Sequence, residues 1–156
     1  MSVSELLSNL TKSKALKSAV VDFEPFGELK FNHKESSWFG FLNGVTPFNH
    51  VELWIEVEHP DEPIGNKLEI IRNFIGGIDK VMNELYRFIH SNCVDVKLPK
   101  SLEEVTEMYF LSSLSLKKDS STYWVVLEPG DVESIYNVFL RFTLVNGKIV
   151  WSNCGQ

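Results

Sequence analysis

Residues 68–89, LEIIRNFIGGIDKVMNELYRFI, predict the longest helix of the chain. Large apolar side chains recur in this stretch at alternating intervals of three and four, which places them on one face of an α-helix. The members of this apolar stripe are Leu68, Ile71, Ile75, Ile78, Met82, Leu85 and Ile89. Because an apolar face of this length must be buried against another layer, the stripe predicts a helix that packs on a sheet.

A glycine pair, Gly76-Gly77, lies near the middle of the helical pattern. Each glycine costs roughly 1 kcal/mol relative to alanine in a helix interior, so the pair needs a structural reason. It predicts either a kink or a place where the helix lies close to a sheet. A nucleotide-binding loop is disfavoured, since no strand leads into the pair and no phosphate-binding motif surrounds it.

Three strands are expected before this helix, at about residues 27–33, 37–43 and 49–58, as an antiparallel meander. The third is the most regular, because aliphatic side chains alternate in it with glutamates and a tryptophan. Successive side chains of a strand point to opposite faces, so one face is aliphatic and the other rich in carboxylates. Upstream, Ser4 is a plausible N-cap, and residues 1–18 are expected to form a short helix or a loosely ordered arm.

Four further strands are expected after the helix, the last two joined by the Asn146-Gly147 hairpin turn. They are centred on residues 110–116, 123–127, 138–144 and 148–152, and a helical turn at residues 102–107 precedes them. The predicted order is therefore α-βββ-α-ββββ. This order is typical of an α+β fold in which an antiparallel sheet of six to seven strands packs on one long central helix, with a short N-terminal helix.

The composition predicts one domain, residues 1–156, because 44% of the residues are hydrophobic and no segment reads as a linker. No apolar run approaches the roughly 20 residues that span a bilayer, so we expect no membrane association. The N-terminus lacks the features of a secretory signal, which predicts a cytoplasmic protein. Cys93 and Cys154 have no metal-ligand or CxxC spacing, so two unpaired thiols are expected in that reducing compartment.

Charge is unevenly distributed along the chain. The net charge is −6, which argues against nucleic-acid binding, because that depends on clustered lysine and arginine. Residues 22–62 alone contain nine acidic and two basic side chains. This segment predicts a surface that binds a basic protein partner. The residues proposed for it are Glu35, Glu52, Trp54, Glu56, Glu58, Asp61 and Glu62.

Within this set, Trp54 is expected on the carboxylate-rich face, where a tryptophan ringed by charges suits an interface hot spot. The alternative is that a second layer, such as the N-terminal helix, covers this face. The other three tryptophans, Trp38, Trp124 and Trp151, are expected to pack in the core or on a sheet face. Arg141 is expected to pair with Glu52 or Glu56 across strands.

No catalytic residue, metal site or cofactor is predicted. The sequence contains no GxSxG, HExxH, P-loop, CxxC or EF-hand motif. His50, Glu52, Glu56 and Glu58 share a strand face, but consecutive same-face positions lie nearly 7 Å apart, too far for more than two to reach one ion. His90 and Cys93 could form a thiol–imidazole pair, although the end of an apolar helix more often buries the thiol. The protein is therefore not expected to be an enzyme.

The strand and turn patterns resemble those of a family of uncharacterised bacterial domains. In that family a penultimate strand, a short Asp/Asn-Gly turn and a final strand close on a glycine, as residues 138–155 do here. The segments FGELKF (26–31), WFG (38–40) and VELWIE (51–56), followed by the long helix, fit the same layout. Such small acidic domains are similar to the immunity proteins of bacterial toxin systems, including contact-dependent growth inhibition.

The resemblance implies a cytoplasmic inhibitor that binds a toxin domain, often a nuclease, and covers its active site. It carries over no functional residues. Two alternatives from other classes stay open at this point. One is a small-ligand-binding domain with a pocket between helix and sheet, lined by polar groups such as Tyr86 or His90. The other is a structural homodimer formed through a sheet face or an edge strand.

Overall fold

The structure, a computed structural model, describes residues 2–7, 19–45, 50–93, 101–130 and 139–154. The helices in these ranges are α1 (residues 3–7), α2 (Gly65–Gly76), α3 (Ile78–Asn92) and α4 (Leu102–Met108). The strands are β1 (Val20–Phe23), β2 (Gly27–Asn32), β3 (Ser37–Leu42), β4 (Val51–Glu56), β5 (Tyr109–Leu116), β6 (Thr122–Pro129), β7 (Leu140–Val145) and β8 (Lys148–Ser152). The α+β class predicted from the sequence is confirmed.

The eight strands form one sheet in which spatial order follows chain order from β1 to β8. Six of the seven neighbouring pairs are antiparallel, and the central pair, β4 and β5, is parallel. The helices α2, α3 and α4 connect these two strands, and a helical crossover returns the chain to the end at which β4 began. The sheet is thus two four-stranded antiparallel meanders joined by a parallel pair. The sequence analysis predicted instead an antiparallel sheet of six to seven strands.

The extra strand is β1, which the sequence analysis missed. It is only four residues long and lies at the edge of the sheet, paired with β2. Its first residue, Val20, is exposed while Phe23 is fully buried. A pattern of four residues is too short to separate a strand from an irregular segment by alternation.

The predicted long helix is divided into α2 and α3 at Gly77. The Gly77 N–H bonds to the carbonyl of Phe74, three residues back, which closes the first helix with a tight turn. An added Cβ would have nothing within 4 Å at Gly76 and only a carbonyl oxygen at 3.9 Å at Gly77, so close packing on the sheet does not explain the pair. The glycines mark a kink, one of the two predicted explanations.

All seven residues of the apolar stripe are buried despite the kink. They meet the aliphatic sides of the strands, including Leu53 and Ile55 of β4 and Leu114 of β5, in one hydrophobic core. A buried lysine, Lys67, fixes the start of α2 to the β5–β6 loop. Its Nζ donates to the Lys118 carbonyl at 3.0 Å and to Ser120 Oγ at 3.1 Å.

A disulfide joins Cys93, at the end of α3, to Cys154, just after β8, with their Cα atoms 5.3 Å apart. The prediction of two unpaired thiols was therefore wrong. The two cysteines are 61 residues apart in the chain, and only the path of the helical crossover brings the end of α3 to the last strand. Unpaired thiols were expected because disulfides are rare in a reducing compartment.

Close contact between β2 and β3 depends on Gly40. An added Cβ at this position would overlap the Glu28 carbonyl in β2. We expect Gly40→Ala to lower the free energy of unfolding by about 2 kcal/mol, because forcing extra volume into a packed region typically costs about 1–3 kcal/mol. Urea denaturation measures this change.

The matched control is Gly76→Ala, at a helical position with open space around an added Cβ. Alanine is favoured over glycine in a helix by up to about 1 kcal/mol, so this variant is expected to be slightly more stable than the natural protein. Equal stability of Gly40→Ala and the natural protein would contradict the close approach of β2 and β3.

Candidate functional site

The side chains that point away from the helices form a second surface of the sheet, which we call the outer face. Strand register places one row of its side chains across seven strands. The row consists of Lys30, Phe39, Trp54, Ser115, Trp124, Thr143 and Trp151. Each of these side chains is exposed or half-buried. In β2 to β7 the residues on either side of each of them in the strand are buried, whereas in the edge strand β8 the neighbours of Trp151 are exposed or half-buried. The outer face is therefore accessible along this row.

Strand β4 has the alternation that its sequence predicts. Its inner-facing residues are buried, while Glu52, Trp54 and Glu56 lie on the outer face and are half-buried. Trp54 contacts Phe39 of β3, with the two ring centroids 4.3 Å apart, and Phe39 in turn contacts Phe41 at 5.2 Å. The N-terminal helix was the alternative cover for this face. The structure describes a helix at residues 3–7, and residues 8–18 of the predicted segment lie outside the described residues. Phe41, on the same face of β3, is 47% exposed.

Five of the seven predicted site residues gather at one end of β4. The β2–β3 turn meets the chain that leaves β4, because the Val57 N–H bonds to the Ser36 carbonyl at 3.2 Å. A carboxylate oxygen of Glu62 accepts from the Glu58 N–H at 3.1 Å, which folds this exit segment back on itself. The resulting acidic end consists of Glu35, Glu56, Glu58, Asp61 and Glu62. Glu52 lies four residues back along β4, roughly 13 Å away.

Glu56 differs from the other carboxylates of the acidic end because it is in an ion pair. Lys117, which follows β5, donates to its carboxylate at 2.8 Å. The same Lys117 Nζ lies 3.1 Å from the ring centroid of Trp124, a cation–π contact. Lys117 therefore connects the acidic end to Trp124 of β6, and the charge of Glu56 is partly neutralised.

Trp124 and Trp151 are the site residues that the sequence analysis missed. They are 54% and 47% exposed, respectively, although both were expected to pack in the core or on a sheet face, and only Trp54 was singled out as accessible. Trp38, by contrast, is buried as expected. Alternation gave no signal for Trp124, because the residues on both sides of it in β6 are also apolar.

Between these two tryptophans lies a cleft of about 710 Å³. Its lining on the outer face also includes Phe139, which is 48% exposed, Val126 of β6, and the β7 residues Arg141 and Thr143. Trp124 is opposite Thr143, which is opposite Trp151, so the cleft runs across three adjacent strands. We call it the tryptophan cleft.

Arg141 does not pair with Glu52 or Glu56, so that prediction was wrong. Strands β5 and β6 separate β4 from β7, and Arg141 lies opposite Val126. Three strand spacings put Arg141 roughly 14 Å from β4, beyond the reach of an ion pair. Its guanidinium makes no ion pair with any residue in the described part of the chain.

Tyr86 and His90, the polar residues considered for a pocket between helix and sheet, do not line such a pocket together. The Tyr86 hydroxyl donates to the Tyr109 carbonyl at 2.7 Å, and burial raises the pKa of Tyr86. His90 is exposed on α3, and Cys93 is in the disulfide. A thiol–imidazole pair is therefore excluded in the oxidised protein. In the described ranges, no three His, Cys, Asp or Glu side chains are placed to hold a metal ion.

Comparison with known proteins identifies no relative. No family model, curated protein or solved structure matches the chain. None of the helices within the described residues is both long and apolar enough to cross a membrane. The function is therefore inferred from the residues of this protein alone. The most distinctive arrangement of side chains lies on the outer face.

Proposed function

We propose that this protein is an immunity protein that binds and neutralises a cognate toxin domain through the outer face of its sheet. The toxin would be a basic, nuclease-like domain of a bacterial system of the contact-dependent growth inhibition type. The observation that carries the proposal is that Trp54 stands on the outer face, with Phe39 beside it and with Glu52 and Glu56 on either side of it in β4, a strand that ends at the acidic end.

Charge supports a basic partner. A nuclease must attract the phosphate backbone, and proteins that do so present clustered lysine and arginine. The acidic end holds five carboxylates, of which one, that of Glu56, is paired with Lys117. Complementary charge speeds association and disfavours wrong partners. Binding through this surface should therefore be fast and should weaken with salt.

The aromatic side chains supply the binding energy that complementary charge alone does not. Interface energy is concentrated in a few residues, often Trp, Tyr and Arg, surrounded by groups that exclude water. Trp54 is half-buried between Glu52 and Glu56 and is braced by Phe39. A rigid tryptophan held in this way loses little side-chain entropy when a partner covers it.

A salt-controlled affinity capture tests the proposal. The tagged protein is incubated with lysate of cells that express the toxin system, then washed at low and at high salt, and the eluates are identified by mass spectrometry. We expect one basic protein, released or weakened by salt, whose toxicity is suppressed when both genes are expressed together. A captured protein that is acidic, insensitive to salt or not neutralised would contradict the proposal, as would an empty bead.

The proposal includes a cytoplasmic location, where a nuclease toxin acts. The disulfide weighs against this location, because cytoplasmic thiol systems keep most cysteines reduced. Alkylation of whole cells before lysis decides the question. Two alkylated cysteines, Cys93 and Cys154, are the result expected for a cytoplasmic protein. Complete protection would contradict the cytoplasmic location and move the encounter with the toxin to an oxidising compartment.

A further inference from the structure

The tryptophan cleft has the dimensions and lining of a small-molecule site. Sites that bury most of a drug-sized ligand are clefts of roughly 300–1,000 Å³, lined mainly by apolar and aromatic side chains with a few convergent polar groups. The cleft has a volume of about 710 Å³, and its lining includes the exposed aromatic side chains of Trp124, Trp151 and Phe139. Arg141 and Thr143 are its polar side chains within the described residues.

The spacing of the two indoles suits a planar ligand. Trp124 and Trp151 stand in one cross-strand row with Thr143 between them, so their strands are two spacings, roughly 10 Å, apart. A ring placed midway would lie about 5 Å from each indole, within the range of about 4.5–7 Å at which aromatic rings attract one another. Lys117 contacts the Trp124 ring but is not among the residues that line the cleft.

Charge in the cleft is set by Arg141. This residue is exposed, and its strand position is fixed because its backbone N–H donates to Asn153 Oδ1 at 2.8 Å. Arg141 and Thr143 are two residues apart on the same face of β7, so their Cα atoms are roughly 7 Å apart, a distance that an arginine side chain can span. The other nearby cation, Lys117, already has Glu56 as its counter-ion. Arg141 therefore makes the cleft attractive to an anion on an otherwise acidic protein.

We propose that the tryptophan cleft binds a planar organic carboxylate, with the apolar ring system between Trp124 and Trp151 and the carboxylate on Arg141. The guanidinium presents a planar fork of donors that matches both oxygens of a carboxylate. A neutral sugar is a poorer match, since its many hydroxyls would find few polar partners on this lining. The site goes beyond toxin binding, because it lies on β6–β8 and needs no contact with the acidic end.

Titrations with 2-naphthoate and its uncharged analogue 2-naphthamide test the site. The probes share one ring system and differ in charge. Indole N–H signals in ¹H–¹⁵N spectra of the protein, assigned with single Trp→Phe variants, report which tryptophans the probe approaches. We expect 2-naphthoate to shift the signals of Trp124 and Trp151 and to leave those of Trp38 and Trp54 in place. We expect 2-naphthamide to bind about tenfold more weakly, because it loses a charge-assisted contact.

Substitutions at Arg141 separate charge from apolar contact. Arg141→Gln should abolish the difference between the two probes, and Arg141→Lys should retain part of it. The matched control is Arg87→Gln, which removes an exposed cation from α3 and should change nothing. Equal binding of both probes to the natural protein would overturn the proposal, as would signal shifts confined to Trp54. Stronger binding of a neutral sugar, cellohexaose, than of 2-naphthoate would also overturn it. The titration requires no toxin, so its result is independent of the immunity proposal.

Discussion

Replacing Cys93 and Cys154 together by alanine is expected to lower the free energy of unfolding by about 4 kcal/mol. The disulfide closes a loop between residues 61 positions apart. In the chain-entropy account, cross-linking over that distance restricts the unfolded state far more than the folded one. The bond also connects the end of the helical layer to the last strand, so its loss removes a covalent link between the two layers.

Urea denaturation of the oxidised protein measures this effect. Each single substitution, Cys93→Ala or Cys154→Ala, should cost almost as much as the double substitution, because either one removes the bond. Reductant should lower the stability of the natural protein to nearly that of the double variant and should leave the double variant unchanged. A natural protein whose stability does not respond to reductant would show that no disulfide forms in solution.

Reversing two charges of the proposed partner surface, by Glu52→Lys with Glu58→Lys, is expected to weaken toxin binding by about 100-fold, or about 2.7 kcal/mol. Placing like charges opposite a basic partner costs several kcal/mol, and most of the loss should appear in the association rate at low salt. Glu56 is left intact because its substitution would also release Lys117 from its contact with Trp124. Biolayer interferometry with the captured toxin measures both rate constants.

The control for this pair is Glu84→Lys with Glu107→Lys on the helical layer, where both carboxylates are exposed. This control changes the net charge by the same amount. It therefore separates the effect of where the charges lie from the effect of the net charge on the affinity. We expect the control to change the affinity less than threefold, a difference of about 0.7 kcal/mol. Equal weakening by both pairs would show that the outer face is not the contact surface.

Periodicity predicted the helices and strands well because it depends on neighbours a few residues apart. The stripe from Leu68 to Ile89 is buried throughout, and the alternation of β4 places Trp54 on the outer face as predicted. The glycine pair was recognised as a break or a close approach, and the kink at Gly77 decides between them. The strand β1 was missed because four residues carry too little pattern.

The candidate site was predicted in part. The acidic side chains could be found from the sequence because charge is visible at each position, and most of them meet at one end of β4. The tryptophan cleft could not be found in this way. In β6 the residues on both faces are apolar, so the sequence does not say which of them the helices cover, and Trp124 and Trp151 are brought together only by the order of the strands.

The sequence by itself determined the class of the fold, the buried face of the helical segment and the two faces of β4. These features depend on contacts within one element, where spacing in the chain fixes spacing in space. The tertiary structure alone decided the parallel β4–β5 pair, the Cys93–Cys154 bond, the Glu56–Lys117 pair and the exposure of Trp124. Each of these features depends on where the helical crossover places the second meander beside the first. The path of the crossover is set by packing of the whole core.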